Sequence, residues 1–240
     1  WIVGEIDDNA TAGIWERDIP NATYENNEIV QPEQDYSING EYCFLTANSW
    51  QASSPGTGDV DGGKTTLTSP IYDLSDYDGA LISYWKWYTN NLGNNPDTDI
   101  WKVDFSIDNG LSWINLENSN ISNNYWEIKQ FLLNDYTTSL TNQVRFRFIA
   151  EDIFHEGDQG SGGSLVEAAI DDFKIEVFSI NQEECAIGDL NEDGLLNILD
   201  IVQIVNLILS SSYQDTADMN SDGVINILDV VALVNAVLGS

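Results

Sequence analysis

The chain has 240 residues, and 40 Asp+Glu against 8 Lys+Arg leave a formal net charge of −32. Phosphate recognition needs a basic face, so this balance excludes a nucleic-acid binder and a surface drawn to anionic lipid. Hydrophobic residues at 42% and aromatics at 11% are too abundant for a disordered acidic tail, and no apolar run is long enough to span or insert into a membrane.

The chain holds one His, one Met and two Cys. A catalytic zinc site or a Ser-His-Asp triad would have to use His155, which sits in a Gly-rich loop and reads as a surface residue, so no catalytic residue is expected and the chain is read as a non-enzyme. It begins with Trp1 and not Met, as a mature or excised fragment would after loss of a targeting segment. Cys43 and Cys185 are the only thiols; a disulfide between them and two separate small apolar residues are both open readings. The sequons at Asn9, Asn21 and Asn120 say little in a chain so rich in Asn.

Taken in chain order, residues 42–46 and 64–69 read as strands. Residues 80–88 alternate, with Leu81, Ser83, Trp85 and Trp87 on one face and Ile82, Tyr84, Lys86 and Tyr88 on the other. The expected core takes Trp85, Trp87, Trp101 and Phe146, and the opposite face sets Tyr84, Lys86 and Tyr88 outward beside Arg145 and Arg147, read as ordinary charged surface neighbours of that core or, alternatively, as an aromatic platform for a sugar. Residues 100–107 alternate through Trp101, Val103, Phe105 and Ile107. Strands follow at 111–116, 126–132, 144–148 and 168–178. Polar turn clusters such as 90–96 and 157–163 separate them. About ten strands without a helical stretch imply an all-β two-sheet sandwich, a jelly roll over residues 1–180.

After a polar linker at 181–187 the pattern becomes helical and repeats over 188–240, a small all-α domain. Asp189, Asn191, Asp193, Asn197 and Asp200 occupy positions 1, 3, 5, 9 and 12 of a calcium loop, and Asp218, Asn220, Asp222, Asn226 and Asp229 repeat them 29 residues later. Gly194 and Gly223 stand at position 6, where the loop turns sharply, and the carbonyls of Leu195 and Val224 would coordinate from position 7. A hard cation wants six to eight oxygens, which short Asp and Asn side chains supply from a tight loop. A solvated acidic turn fails as an explanation: residues 187–240 carry eight acidic residues and no Lys or Arg, and six of the eight fall on ligand positions.

Residues 188–239 resemble a type I dockerin, carried by two copies of Asp-x-Asn-x-Asp-Gly-x-x-Asn-x-x-Asp leading into apolar helices. The resemblance implies two bound Ca2+ ions and a cohesin-like protein partner. It also implies partner contacts at loop positions 10 and 11, here Ile198, Leu199, Ile227 and Leu228, and further along the helix at Asn206 and Asn235. These aliphatic pairs replace the hydroxyl residues frequent in cellulosomal members, and no basic pair follows at 206–207 or 235–236. Apolar residues surround most of each helix, so a second face is either buried against the β domain or exposed for a partner.

Segments Gly13-Ile14-Trp15-Glu16-Arg17, Tyr42-Cys43-Phe44-Leu45-Thr46, Asp59-Val60-Asp61-Gly62-Gly63-Lys64, Ser83-Tyr84-Trp85-Lys86-Trp87-Tyr88 and Val166-Glu167-Ala168-Ala169-Ile170-Asp171-Asp172-Phe173 resemble a MAM-like jelly-roll module. Such modules accompany secreted hydrolases, including immune inhibitor A-like metallopeptidases. The resemblance implies an accessory role and a further calcium site at Asp59, Asp61, Asp171 and Asp172, with Glu33 and Asp35 as weaker candidates. The expected whole is a secreted or cell-surface, bacterial or archaeal, non-catalytic anchoring unit. The rivals are a glycan-binding accessory region of an extracellular hydrolase, and a calcium-dependent fibre or surface-layer subunit that binds copies of itself.

Overall fold

The computed structural model describes residues 1–48, 56, 58–152, 163–179 and 187–239. Cys185, His155 and linker residues 181–186 lie outside these, and with them the disulfide and lone-His expectations. The chain divides into two compact units, Trp1–Ser179 and Ile180–Ser240.

The first unit contains β1 (Ile2–Val3), β2 (Trp15–Asp18), β3 (Thr23–Glu25), β4 (Glu28–Gln31), β5 (Cys43–Thr46), β6 (Gly63–Thr68), β7 (Gly79–Thr89), β8 (Trp101–Ser106), β9 (Ile114–Ser119), β10 (Asn123–Leu132), β11 (Arg145–Asp152) and β12 (Glu167–Phe178). One sheet runs β1-β6-β11-β8-β9, the other β10-β7-β12-β5-β2, and β3-β4 form a separate hairpin. All the strand pairings are antiparallel. This is the β sandwich expected from the alternation, and the eight predicted strands are all present. The four that the pattern missed, β1 to β4, span only two to four residues, too short to show a period.

Between the sheets lies an aromatic core. Trp101 packs 5.9 Å from Tyr88 and 6.1 Å from Phe148, and Tyr84 meets Phe148 edge-on at 5.0 Å. Each such side chain contributes roughly 1.5–3 kcal/mol by leaving water. The backbone is drawn in as closely: at Gly13 (φ +68°) a Cβ would stand 2.3 Å from the Val60 Cα, so no other residue fits there.

The orientation of β7 is the reverse of the one expected. Ile82, Tyr84, Lys86 and Tyr88 face the core at 0–1% exposure, Trp85 is half-buried, and Trp87 joins a satellite cluster with Cys43, Leu45 and Ala169. Tyr84, Lys86 and Tyr88 therefore form no sugar platform. Trp101 and Phe146 are in the main core as expected. The physical reason is that β7 is covered on both sides. The β3–β4 hairpin lies over its outer face, where Trp87 Nε1 donates to the Val30 carbonyl at 2.6 Å and Trp126 packs 5.9 Å from Trp87. Lys86 tolerates the interior because its Nζ lies 2.8 Å from Glu117 Oε1. Glu117 Oε2 also accepts from the Tyr84 hydroxyl at 2.8 Å and from Trp101 Nε1 at 2.9 Å. Burial pulls the Lys86 pKa down, against the opposing pull of Glu117.

The second unit contains α1 (Ile198–Ser210) and α2 (Ile227–Gly239), with a short 3₁₀ turn at Asp215–Ala217. Its core is small: Leu190, Ile204, Ala217 and Leu233, joined by Leu196, Ile201, Met219, Ile225 and Val230. The 29-residue repeat maps Leu190 onto Met219, Leu196 onto Ile225, Ile201 onto Val230 and Ile204 onto Leu233, so each copy supplies the same half of the core. No helix among the described residues is long and apolar enough to cross a membrane.

Candidate calcium loops and acidic clusters

Each loop is built by its own aspartates. Asp189 and Asp218, at position 1, are 4% and 5% exposed. Asp189 Oδ1 accepts from the Asp193 amide (3.2 Å) and its Oδ2 from the Gly194 amide (2.8 Å); Asp218 accepts from Asp222 and Gly223 at 3.1 and 2.7 Å. Burial pushes the Asp218 carboxyl up, but the Gly223 and Asp222 amides and the Tyr213 hydroxyl outweigh it and hold the pKa low.

Position 12 closes the loop. Asp200 and Asp229 are fully buried. Asp200 Oδ1 accepts from the Leu190 and Asn191 amides at 2.9 and 3.3 Å, and its Oδ2 from the Asn197 amide at 2.9 Å. Asp229 accepts from Asn220 and Asn226 at 3.4 and 2.8 Å. Position 9 is the helix N-cap as well: Asn197 Oδ1 accepts from the Leu199 amide and Asn226 Oδ1 from Leu228, both at 2.8 Å. Asn-x-x-Asp thus serves as a capping box at the start of each helix, on the same two positions that the sequence pattern nominated as ligands. Gly194 and Gly223 turn at φ +80° and +83°, and position 4, Glu192 or Ser221, is left-handed too at +59° and +58°. The loop helices expose matching aliphatic residues: Ile198, Leu199, Val202 and Leu209 on α1, and Ile227, Leu228, Val231 and Leu238 on α2, each 51–79% exposed. Asn206 and Asn235 are exposed as well.

In the β unit the four aspartates singled out from sequence do not gather into one group. Asp171 and Asp172 lie on β12 beside the β4–β5 loop. Asp171 Oδ2 accepts from the Tyr36 and Ser37 amides at 2.9 and 3.2 Å, and Asp172 Oδ1 from the Ser37 hydroxyl at 2.7 Å. Asp35 is their neighbour, its pKa raised by burial and then by Asp171, Asp172 and Glu41. Glu33 is exposed.

Asp59 and Asp61 belong with Asp99, Asp152 and Glu167, which sequence reasoning did not nominate. Asp59, Asp99, Asp152 and Glu167 are 0–3% exposed. Burial and then the Asp61 charge push Asp59 up to about 7. Burial, then Asp99, Asp61 and Asp59, push Asp152 to about 8. Glu167 is raised well above the carboxylate range by burial and then by Asp59. One signal was available: Glu167 interrupts the apolar run Val166 to Ile170, and a carboxylate in such a strand needs a partner. Cys43 is buried, and burial pushes its thiol up. Among the described residues no group of three or more His, Cys, Asp or Glu side chains stands where it could hold a metal ion.

Three comparisons with known proteins complete the picture. The solved structures similar to the chain include TmCBM61 in complex with β-1,4-galactotriose, at 13% identity and TM-score 0.33, covering 59% of this chain and 74% of that one. The CBM22-1 xylan-binding domain from Paenibacillus barcinonensis Xyn10C aligns at 10% identity and TM-score 0.32 over 75% and 94%. The Stig cyclase Fisc from Fischerella sp. TAU aligns at 11% and 0.32 over 73% and 92%. Likenesses this remote decide no ligand. No curated protein matches the chain. Residues 187–238 match the family model of the dockerin type I domain.

Proposed function

We propose that the second unit is a calcium-dependent docking module that anchors a secreted or cell-surface chain to a cohesin-like partner, with the β unit as its accessory module. The observation that carries this reading is the pairing of two ligand loops with two matching exposed aliphatic faces, 29 residues apart in every landmark. In it, Asp189, Asn191, Asp193, Asn197 and Asp200, with the Leu195 carbonyl, hold one Ca2+. Asp218, Asn220, Asp222, Asn226 and Asp229, with the Val224 carbonyl, hold a second. Ile198 with Leu199, and Ile227 with Leu228, are alternative contact pairs, with Asn206 and Asn235 beside them. The boundaries proposed are residues 1–180, a linker at 181–187 and 188–240.

A partner can engage either face, in opposite orientations. Burying one aliphatic pair contributes roughly 3–6 kcal/mol before association costs. Calorimetric titration against a cohesin-like domain from the same source tests this. Changing Ile198 and Leu199 to Asp is expected to weaken binding only modestly, and changing Ile227 and Leu228 as well to abolish it with calcium binding intact. Dual-face binding is wrong if one pair accounts for all the affinity.

A second reading, glycan binding by the β unit, is favoured by one cleft. Trp1, Tyr42, Tyr72 and Phe173 line it with Arg17 and Asp172, enclosing about 200 Å³. The Arg17 guanidinium lies 4.9 Å over the Tyr42 ring. A glycan array run with the chain and with Tyr42→Ala decides it: a specific sugar lost on substitution supports the reading, and an array with no specific signal removes it.

A further inference from the structure

The sheet that contains β12 is closed along only part of that strand. β5 pairs with β12 at Ala169 and Ile170 alone, whereas β7 runs beside it from Glu167 to Phe178. A bulge between Asp171 and Lys174, where Asp172 turns at φ +47°, ends the double pairing. Beyond it, residues 174–178 have β7 on one side and, among the described residues, no strand on the other. In an antiparallel ladder alternate residues turn both N–H and C=O away from the neighbour. This stretch therefore offers a row of backbone donors and acceptors on its open side.

A groove follows the same edge. Ile175 and Val177 stand opposite Ile82 and Ala80, which belong to the main core, so they point between the sheets. With Tyr72, Leu74 and Tyr77 they line a cavity of about 400 Å³. That cavity shares Tyr72 and Phe173 with the cleft that holds Trp1 and Tyr42. Arg17, Tyr42, Asp171 and Asp172 in turn join this cleft to a wider one of about 690 Å³ that reaches Glu41. The three are continuous. At one end Tyr77 and Val177 are 41% and 37% exposed, apolar surface that an incoming side chain would cover. The other end is acidic, with Glu41, Asp171 and Asp172 against Arg17 alone.

We propose that an extended, basic peptide segment of a partner protein docks here by adding a strand to the open edge of β12. It runs antiparallel to β12, as β5 does, with apolar side chains at alternate positions in the cavity beside Tyr77. Lys or Arg side chains at its C-terminal end meet Asp172 and Glu41. The open edge favours a peptide over a glycan, because another strand repeats its donors and acceptors at the same spacing, about 6.8 Å. The site is independent of the helical unit, but it overlaps the cleft of the glycan reading.

The test selects random heptapeptides displayed on phage against the full chain and measures the synthesised winners by fluorescence anisotropy. The expected sequences alternate apolar with polar residues and end in Lys or Arg. Tyr77→Ala should weaken their binding about tenfold. Asp172→Asn, which keeps a residue that tolerates the left-handed turn, should weaken it about threefold and flatten its dependence on NaCl. Methylating every second backbone amide of the peptide should abolish binding in one register and spare it in the other, a signature that side-chain contacts alone do not give. Hydrogen exchange should slow at alternate amides of residues 174–178. Winners without the alternation, or methylation tolerated in both registers, overturn the proposal. So does a specific glycan signal lost with Tyr42→Ala while no peptide binds, which would leave the cleft to a sugar.

Discussion

The two units bury carboxylates in opposite ways. In the helical unit, Asp189, Asp200, Asp218 and Asp229 are each held by backbone amides within their own loop. In the β unit, Asp59, Asp152 and Glu167 reach the interior from distant segments and keep unpartnered oxygens. Local hydrogen bonds can shape a ligand loop in advance, but they cannot hold it together. The helical core of four fully buried apolar residues must still offset the repulsion of six clustered carboxylates. The β unit has the reverse arrangement: its large aromatic core carries the fold and tolerates a costly polar centre. Calcium should therefore decide whether the helical unit folds, while the β unit keeps its fold without it.

Complete chelation separates the two most widely. With EDTA the helical signal in far-ultraviolet circular dichroism is expected to collapse, because binding energy at such loops is folding energy. Tryptophan fluorescence at room temperature should stay native. Helicity that survives chelation would show that the small core suffices. Next in size is Lys86→Met, which removes one partner of a buried pair and should cost the β unit about 3–5 kcal/mol in denaturant titrations followed by fluorescence. Adding Glu117→Gln should recover much of this, since the amide oxygen can still accept from Tyr84 and Trp101. A double variant as unstable as the single would place the loss in Lys86 packing and not in its charge. Smaller again is Gly188→Ala. Its Cβ would meet Leu233 Cδ1 at 2.8 Å and Met219 Sδ at 3.0 Å, at φ +100°, although the second copy has a buried Ala217 at the matching position. The expected cost is about 1–3 kcal/mol, read as the extra calcium needed to half-fold the helices.

What could be read from sequence follows the same division. The loops were legible because their ligands, turn glycine and helix cap all fall within twelve consecutive residues, and the repeat displays them twice. The Asp59–Asp152–Glu167 group was not, because Gln31 and Glu167 are 136 residues apart and only the strand pairing brings them together. Asp59 and Asp61 drew notice from their Gly-Gly turn, which marks a loop but cannot name the loop's neighbours. The strands were legible from alternation, yet alternation does not say which face of β7 is inside. A hairpin of short strands, β3 and β4, covers the face that an isolated sandwich would leave to solvent.

The smallest effect compares the two loops with each other. Glu192 and Ser221 stand at position 4, and both adopt a left-handed backbone that costs an ordinary L-residue roughly 1 kcal/mol. Asn tolerates that region better, so Asn at either position should relieve the same strain, by about 0.5 kcal/mol. Only Glu192→Asn also removes a charge. Ser221→Asn is therefore expected to stabilise the helical unit equally with and without calcium and to leave affinity unchanged. Glu192→Asn relieves repulsion in the empty loop and removes attraction in the filled one, so it should stabilise the calcium-free state more and weaken affinity about twofold. Calcium titrations of the two variants, followed by circular dichroism at low and at moderate ionic strength, measure the difference, which salt should shrink. If both variants change affinity alike, backbone relief alone sets the loop's response, and the extra carboxylate of the first copy has no electrostatic part in holding the ion.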